Sequence, residues 1–542
     1  MDDYRGLVAH GKIHEGWLKV AQKPTPETLV NTVGAKALDT EASAQWGLDP
    51  FALVEAAGRA CAEVLLRGIA GGKGKPCFTV LAGSGNNAAD AMVMLRAFVL
   101  GGHAEPDFCE VLLAKMPEGE RTPMSQAVLA LRKLGVSVQT WDIGKMAFLD
   151  GRKARIVIDG IAGTGLDGPL RGTALEMAEA INTLCYGPEW QIPDGNTIVS
   201  VDIPSGAFDD WREGMPIVHA DITLAIEPQK LCIYAPAVRP HAGTVLPVRG
   251  IFPPELIDKH RDAELLIWES ASARINPVPN TAHKYGRGLV EIRAGSMGMT
   301  GAARLAALGS QAAGAGMVRL IVDPSVYAVV APACSGVMVV SEPNTIASKA
   351  SPAAVLMGPG WGKGEDRMRI LKSYLPFEEN GRPLVLDADA IALSKDIVFH
   401  GSAILTPHMG EFASCLGLPK EEIPAADIIR ILRNFAEEKK ATVLLKSHVM
   451  YVASPDGRLG VIDGMNPVLA AGGSGDVLAG FCVAIAALSG FNFDGYTCAC
   501  AAATLLVRAA ETEGIAGSFV DPGELARVAA TIAGGAWIRR GQ

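Results

Sequence analysis

The stretch GMNPVLAAGGSGDVLAG, Gly464 to Gly480, decides how the C-terminal half is read. Gly472, Gly473, Ser474 and Gly475 carry almost no side-chain bulk, so their backbone N–H groups can converge on one point. The apolar run from Val477 predicts a helix whose positive end faces that same point. Together these make an anion cradle. Asp476 stands in the first turn of the helix, and the glycines exceed what simple capping needs. A carboxylate beside a phosphate cradle suits a base that takes a proton from a hydroxyl while the loop stabilises a transferring phosphoryl group. A Gly-rich turn carrying an N-terminal acid is the plain structural alternative.

Outward from this stretch, apolar runs ending in Gly or Asp alternate with segments of helical period. CFTVLAG, EVLLAK, ARIVIDG and TIVSVDIPSG read as strands in the first half; GLVEIRAG, MVRLIV, AAVLMGPG, PLVLDADA, AILTPH and ATVLLKS read as strands in the second. VMYVASPDGRLGVI predicts a hairpin turning at Asp456 and Gly457. The segment around Trp268 to His283, with Pro277 and Pro279, has the composition of a linker. The expected organisation is therefore α/β: two tandem three-layer domains, over 31–265 and 283–542, with 266–282 between them and 1–30 as an N-terminal extension. Ligands of such sheets collect at the carboxyl ends of the strands, where the polar motifs cluster.

Bulk properties narrow the function classes. A chain of 542 residues, 49% hydrophobic and 20% charged, has ample apolar surface for two cores. Its formal charge of −9 argues against a surface built for nucleic acid. The longest apolar run, Val477 to Leu488, falls short of the roughly 18 residues of a membrane span and reads as a buried helix. No signal-peptide pattern opens the sequence, so no membrane partner and a cytoplasmic location are expected. Ten cysteines are scattered without a CxxC pair. Cys498 and Cys500 point to different sides of a helix, which makes them packing residues and a poor metal site.

Three further stretches accompany GGSGD: GSMGMTGAARLAALGSQAAGAG (Gly295 to Gly316), LDADAIALS (Leu386 to Ser394) and LTPHMGEF (Leu405 to Phe412). In this order they resemble the ADP- or ATP-dependent NAD(P)H-hydrate dehydratases of the ribokinase-like superfamily, over about 282–535. The resemblance implies that a hydrated nicotinamide ring is phosphorylated on its hydroxyl by ADP or ATP, with Mg2+, and that phosphate is then eliminated to restore NADH or NADPH. It implies Asp476 as the base and Gly472, Gly473, Ser474 and Gly475 as the cradle. Lys446, Ser447, His448, Val449 and Met450 would lie against the nucleotide, and Ala302, Gly360, His408 and Asp476 would contact the hydrate. Plain structural roles are open to each: helix packing for Ala302, a turn for Gly360, a strand-end histidine held by Glu411 or backbone for His408. Ser447 replaces the family's usual glycine.

In the first half GSGNNAADAMVMLRAF (Gly83 to Phe98) follows a predicted strand and opens a helix, a context suited to phosphate or ribose. With DGIAGTGLDGPLRG (Asp159 to Gly172) and VDIPSG (Val201 to Gly206) it resembles the Rossmann-like NAD(P)H-hydrate epimerase domain, over about 33–257. The resemblance implies a bound potassium ion with Asn87, Asp159 and Ser205 as oxygen ligands, which suits a hard cation. It places the substrate against Asn86, Asn87, Ala88, Ala89, Asp90, Gly163, Thr164, Gly165, Leu166, Asp167, Gly168, Pro169 and Asp202. Asp202 is the expected proton-transfer group; strand-end capping is the structural alternative for it and for Asp159.

Departures fall at Ala88, Ala89 and Ala91, where the family usually has glycines, and at Ala56, where it commonly has asparagine. Alanine at a position of positive φ costs ~1–2 kcal/mol, which would weaken the epimerase half. A small-alcohol or vitamin-precursor kinase, with the first half a non-catalytic nucleotide-binding module, is the rival reading. The partners expected are small molecules, and a homo-oligomer is the expected assembly.

Overall fold

The apolar runs are strands in the computed structural model, which describes residues 26–69, 76–118, 121–142, 155–185, 196–342, 351–419, 423–512 and 514–538. Expectations for residues 1–25 lie outside the described residues. The chain divides into two compact units, and their boundary falls between Asp262 and Ala263.

The strands of the first unit are β1 (Glu27–Val30), β2 (Cys77–Ala82), β3 (Cys109–Leu113), β4 (Ser137–Thr140), β5 (Arg155–Gly160), β6 (Asn196–Val201), β7 (Ile222–Ile226), β8 (Gln229–Lys230) and β9 (Thr244–Val248). Seven form a sheet in the order β4-β3-β2-β5-β6-β7-β9, parallel throughout. Strand β2 is buried at every position because both faces of the sheet are covered. Phe78 and Val80 pack with helical Ala57, Leu95 and Phe98 on one face; Leu81 and Val157 pack with Met177 and Ile181 on the other. The chain walks outward from β2 to β4 and then returns to β5 on the opposite flank of β2. That reversal opens a crevice at the carboxyl ends of β2 and β5.

Residues 27–30, expected within the extension, instead form β1, which pairs in parallel with β8. Leu29 and Val30 are fully buried. Asn31 then caps the helix Thr32–Trp46 by accepting from the Gly34 amide.

The second unit contains β10 (Ala263–Leu265), β11 (Leu289–Arg293), β12 (Met317–Val322), β13 (Met338–Ser341), β14 (Ala354–Met357), β15 (Leu384–Leu386), β16 (Ala403–Leu405), β17 (Thr442–Leu445), β18 (Val449–Ala453) and β19 (Leu459–Asp463). Their order is β13-β12-β11-β14-β15-β16-β17-β18-β19-β10. Strands β11 to β17 pair in parallel; β18 and β19 form the expected antiparallel hairpin. The switch of direction lies between β11 and β14, so the crevice forms at their carboxyl ends.

The segment 266–282 is no free linker. It carries the short helix Trp268–Ser272, and Trp268, Ala271 and Ile275 sit in the core of the second unit. That core joins the helices Thr300–Ala312, Ser474–Ser489, Gly495–Ala510 and Pro522–Trp537 to the even-facing residues of β11 and β12. Gly480 explains how closely the first two helices meet: a Cβ there would lie 2.3 Å from the Ala306 carbonyl oxygen. Cys482, Cys498 and Cys500 are buried packing residues in this core. Among the described residues no helix is long and apolar enough to cross a membrane.

Candidate functional site

In the second unit the carboxyl ends of β11, β14, β15, β16 and β17 deliver their loops to one side of the sheet. Ser296 Oγ donates to the Gly360 carbonyl at 2.9 Å, and the Gly362 amide donates to Asp389 Oδ2 at 2.8 Å. At the centre is Asp387, 2% exposed, which accepts from Thr406 Oγ1 and from Lys446 Nζ, each at 2.7 Å. The Lys446 amide bonds the Pro407 carbonyl at 2.8 Å, which ties the LTPH and LLKS strand ends together. Burial opposes charge on Lys446, but Asp387 outweighs it and holds the ammonium above its ordinary pKa.

The glycine loop closes this side. Gly473 has φ +104°, a turn that favours glycine, and Ser474 begins the helix. Among the described residues, the amides of Gly472, Gly473, Gly475 and Asp476 have no hydrogen-bond acceptor. Gly475 stands over the Lys446 head, with a Cβ there 3.3 Å from Nζ. Burial, reinforced by the charges of Asp387 and Glu411 and opposed by Lys446, raises Asp476 to a pKa of about 7. A carboxyl that titrates near neutrality can accept a proton from a hydroxyl without holding it permanently.

The other residues expected here divide. Gly360 (φ +54°) and Ala302 adjoin, since a Cβ on Gly360 would lie 3.1 Å from that of Ala302. His408 caps the helix Met409–Leu416: Nδ1 accepts from the Gly410 amide at 3.0 Å, and Glu411 returns the bond to the His408 amide at 2.9 Å. The structural role open to it is therefore the one it fills, with its exposed ring still at the crevice. Val449 and Met450 bury their side chains, 0% and 4% exposed, so only their backbone could meet a ligand. Ser447 and His448 remain outward, and Ser447 is not among the residues of positive φ, so its side chain is unstrained.

The first unit holds a cavity of about 610 Å³ lined by Asn86, Asn87, Asp90, the Gly163–Leu166 loop and Asp202. Ala88 and Ala89 do not line it. They lie in the regular helix Asn86–Leu100, 1% and 0% exposed, on the face packed into the core. Neither they nor Ala91 has positive φ, so the expected strain is absent and alanine favours the helix. Asp167 turns outward to Lys36 at 2.8 Å, with a side chain 86% exposed, and Gly168 and Pro169 stand outside the lining. Ala57 rather than Ala56 borders the cavity.

Asp159 is fully buried beneath the loops. It accepts from Ser200 Oγ at 2.7 Å, Ser205 Oγ at 2.5 Å and the Ser205 and Ile161 amides. Burial raises its pKa, and those bonds oppose the rise. Asn87 Nδ2 donates to the Ala162 carbonyl at 3.2 Å, which leaves its buried Oδ1 without a partner.

Three residues at these sites have no role assigned from sequence alone: Asp387, Lys230 and Asp39. Asp387 directly follows the apolar strand β15, which was the available signal; Glu411, expected only as a partner of His408, also adds its charge to the rise at Asp476. Lys230 and Asp39 line the first cavity, but each sits alone in its local sequence and only the fold brings it there.

These features define a chain of two α/β units, each with its candidate site at the carboxyl ends of parallel strands. The NAD(P)H-hydrate dehydratase family matches residues 290–521, and the YjeF-related protein N-terminus matches 50–232. A bifunctional NAD(P)H-hydrate repair enzyme Nnr of Gloeobacter violaceus is 31% identical over 487 residues, covering 85% of this chain and 89% of the relative. That of Moorella thermoacetica is 30% identical over 492 residues, covering 84% and 88%. The ADP/ATP-dependent NAD(P)H-hydrate dehydratase of Bacillus subtilis, co-crystallised with ATP/Mg2+, is 25% identical over 49% of this chain and 95% of its own, with a TM-score of 0.44. The chain belongs to the family of bifunctional NAD(P)H-hydrate repair enzymes.

Proposed function

We propose that this protein repairs hydrated NADH and NADPH, with epimerisation in the first unit and nucleotide-dependent dehydration in the second. In the second unit, the terminal phosphoryl group of ADP or ATP meets the unpartnered amides of Gly472, Gly473 and Gly475. Asp476 takes the proton from the ring hydroxyl as the new O–P bond forms and the nucleotide's bond to that phosphorus breaks. The C–O bond of the resulting ester then breaks with phosphate as leaving group, a proton leaves the neighbouring carbon, and the ring double bond returns. Mg2+ bound with the nucleotide supplies charge neutralisation on the phosphates. Among the described residues no group of three His, Cys, Asp or Glu is placed to hold a metal.

The observation that carries this reading is the pairing of four unpartnered amides with an acid whose pKa is about 7. In the first unit, the fit to potassium is supported by the orphaned Asn87 Oδ1 beside Asp159, Ser205 and the Ala162 carbonyl, all hard oxygen donors. The test supplies purified hydrate with ADP or ATP and follows the reduced-nicotinamide absorbance together with phosphate release. Equal recovery of both is expected. Accumulation of a stable phosphorylated alcohol would overturn the reading in favour of a kinase.

A further inference from the structure

The proposed epimerisation needs a hydroxyl to leave a ring carbon and return to its other face. Hydration of an enamine puts that hydroxyl beside the ring nitrogen, so departure requires a proton donor and return requires a proton acceptor. Leaving one face and returning to the other sets these two roles on opposite sides of the ring. We propose that Asp90 donates the proton to the departing hydroxyl and that Asp202, held by the positioning residue Lys230, accepts the proton of the returning water. This rests on the epimerase reading of the first unit.

Four observations carry it. Asp90, Asp202 and Lys230 all line the 610 Å³ cavity although they come from the helix after β2, the turn after β6 and strand β8. Lys230, 5% exposed, donates to Asp202 Oδ1 at 2.6 Å and to the Ile226 carbonyl at 3.0 Å, a bond set that aims an ammonium at one carboxylate. Asp202 itself sits at φ +66°, an unusual backbone for aspartate that the surrounding bonds must maintain.

The fourth observation is Asp90. It is 8% exposed, and its Oδ1 is buried with no hydrogen-bond partner. No donor among the described residues reaches either oxygen, and an ionised carboxylate without donors is costly to bury. Burial first, then the neighbouring Asp202 charge, pushes its pKa well above the carboxylate range; Lys230 opposes this but is already engaged by Asp202. Asp90 is therefore a carboxylic acid beside a paired carboxylate. A carboxyl held neutral beside one paired with an ammonium suits a division of acid and base roles. Asp39 also lines the cavity and burial raises its carboxyl too, but its side chain reaches solvent at the cavity edge, whereas Asp90 is enclosed.

The step balances without redox chemistry. The Asp90 proton passes to the departing oxygen, the C–O bond breaks to give water, and the nitrogen lone pair forms an iminium. Asp202 faces the cation produced. Water adds to the opposite face, its proton goes to Asp202, and one proton returns from Asp202 to Asp90 through cavity water.

The test uses the full chain without nucleotide, so that dehydration does not run, and follows conversion of one purified epimer of hydrated NADPH into the other. Asp90→Asn should lower kcat by ~10²-fold or more with KM changed less than ~3-fold. Its Tm should not fall, because an amide replaces a buried neutral acid. Lys230→Met should lower kcat at least ~10-fold, with partial rescue in Lys230→Arg, a readout that a merely structural lysine would not give. If the Met variant unfolds, Lys230→Gln is judged by the same criterion. Wild-type turnover in Asp90→Asn, or in the neutral Lys230 variant, overturns the proposal while leaving the epimerase reading intact. A wild-type chain that does no better than the spontaneous rate overturns both.

Discussion

Replacing Asp476 with asparagine should abolish dehydration and at the same time stabilise the protein above neutral pH. Burial lifts this carboxyl from the ordinary 3.8 to about 7, with Asp387 and Glu411 adding to the rise and Lys446 opposing it. That displacement corresponds to ~4 kcal/mol disfavouring the charged form in the fold. Because the folded pKa exceeds the unfolded one, the stabilising protonated state is fully present below about pH 4. It is lost as pH rises through about 7, since between those values the native state binds the extra proton. Asparagine is neutral throughout, so its advantage grows between about pH 4 and 7 and is constant above that. Solvent reaching the partly exposed side chain reduces the figure to ~2 kcal/mol, or roughly 4–8 °C for a domain of this size.

Thermal unfolding of both proteins from pH 5 to 8.5 checks the stability arm. The melting temperatures should already differ in part at pH 5, separate further up to about pH 7 and stay a constant distance apart above it. Activity is followed as recovery of reduced-nicotinamide absorbance with a saturating nucleotide, and the variant should lose ~10²-fold or more in kcat while still binding nucleotide. Parallel melting curves across the whole range would refute the buried, near-neutral titration; retained turnover would refute the base.

Removing the charge from Lys446 by methionine leaves Asp387 buried without its cation and should cost ~3–5 kcal/mol in denaturant unfolding, with part of the loss recovered when Asp387→Asn is added. Gly475→Ala sets a methyl 3.3 Å from the Lys446 ammonium and inside the cradle; nucleotide KM should rise about tenfold with little change in kcat, measured by initial rates. Asn87→Leu removes the orphaned amide oxygen and should abolish any dependence of epimerisation on potassium, read by titrating K+ against an organic cation.

The alternating strands were legible because both sheets bury their faces, and continuous apolar runs survive no other packing. The short edge strands were not: β1, β8 and β10 have two to four residues each and depend on partners distant in sequence. The helix Trp268–Ser272 hid behind the prolines that follow it, since composition reports the turn and not the buried Trp268 before it. At the second site, glycine spacing foretold the free amides, whereas the Lys446–Asp387 pair joins the ends of β17 and β15 and no local pattern could announce it. At the first site, alanines in place of glycines suggested strain. The helix that starts at Asn86 removes that cost, because those positions never leave the right-handed region.

Both units raise the pKa of a carboxyl by burial, yet to different degrees, and the difference suits the chemistry proposed for each on one hydroxyl. Epimerisation needs that oxygen to leave, so its acid must still hold a proton at neutral pH; Asp90 lies deep, without donors, and its pKa stands well above the carboxylate range. Phosphorylation needs the same oxygen to attack, so its acid must be half ready to accept; Asp476 has Lys446 to moderate burial and stops near 7. Exchanging the two environments would leave one site with a base where it needs an acid. The lysine in each site therefore matters through what it is bonded to: Lys446 holds Asp387 and moderates Asp476, whereas Lys230 is taken by Asp202 and leaves Asp90 neutral.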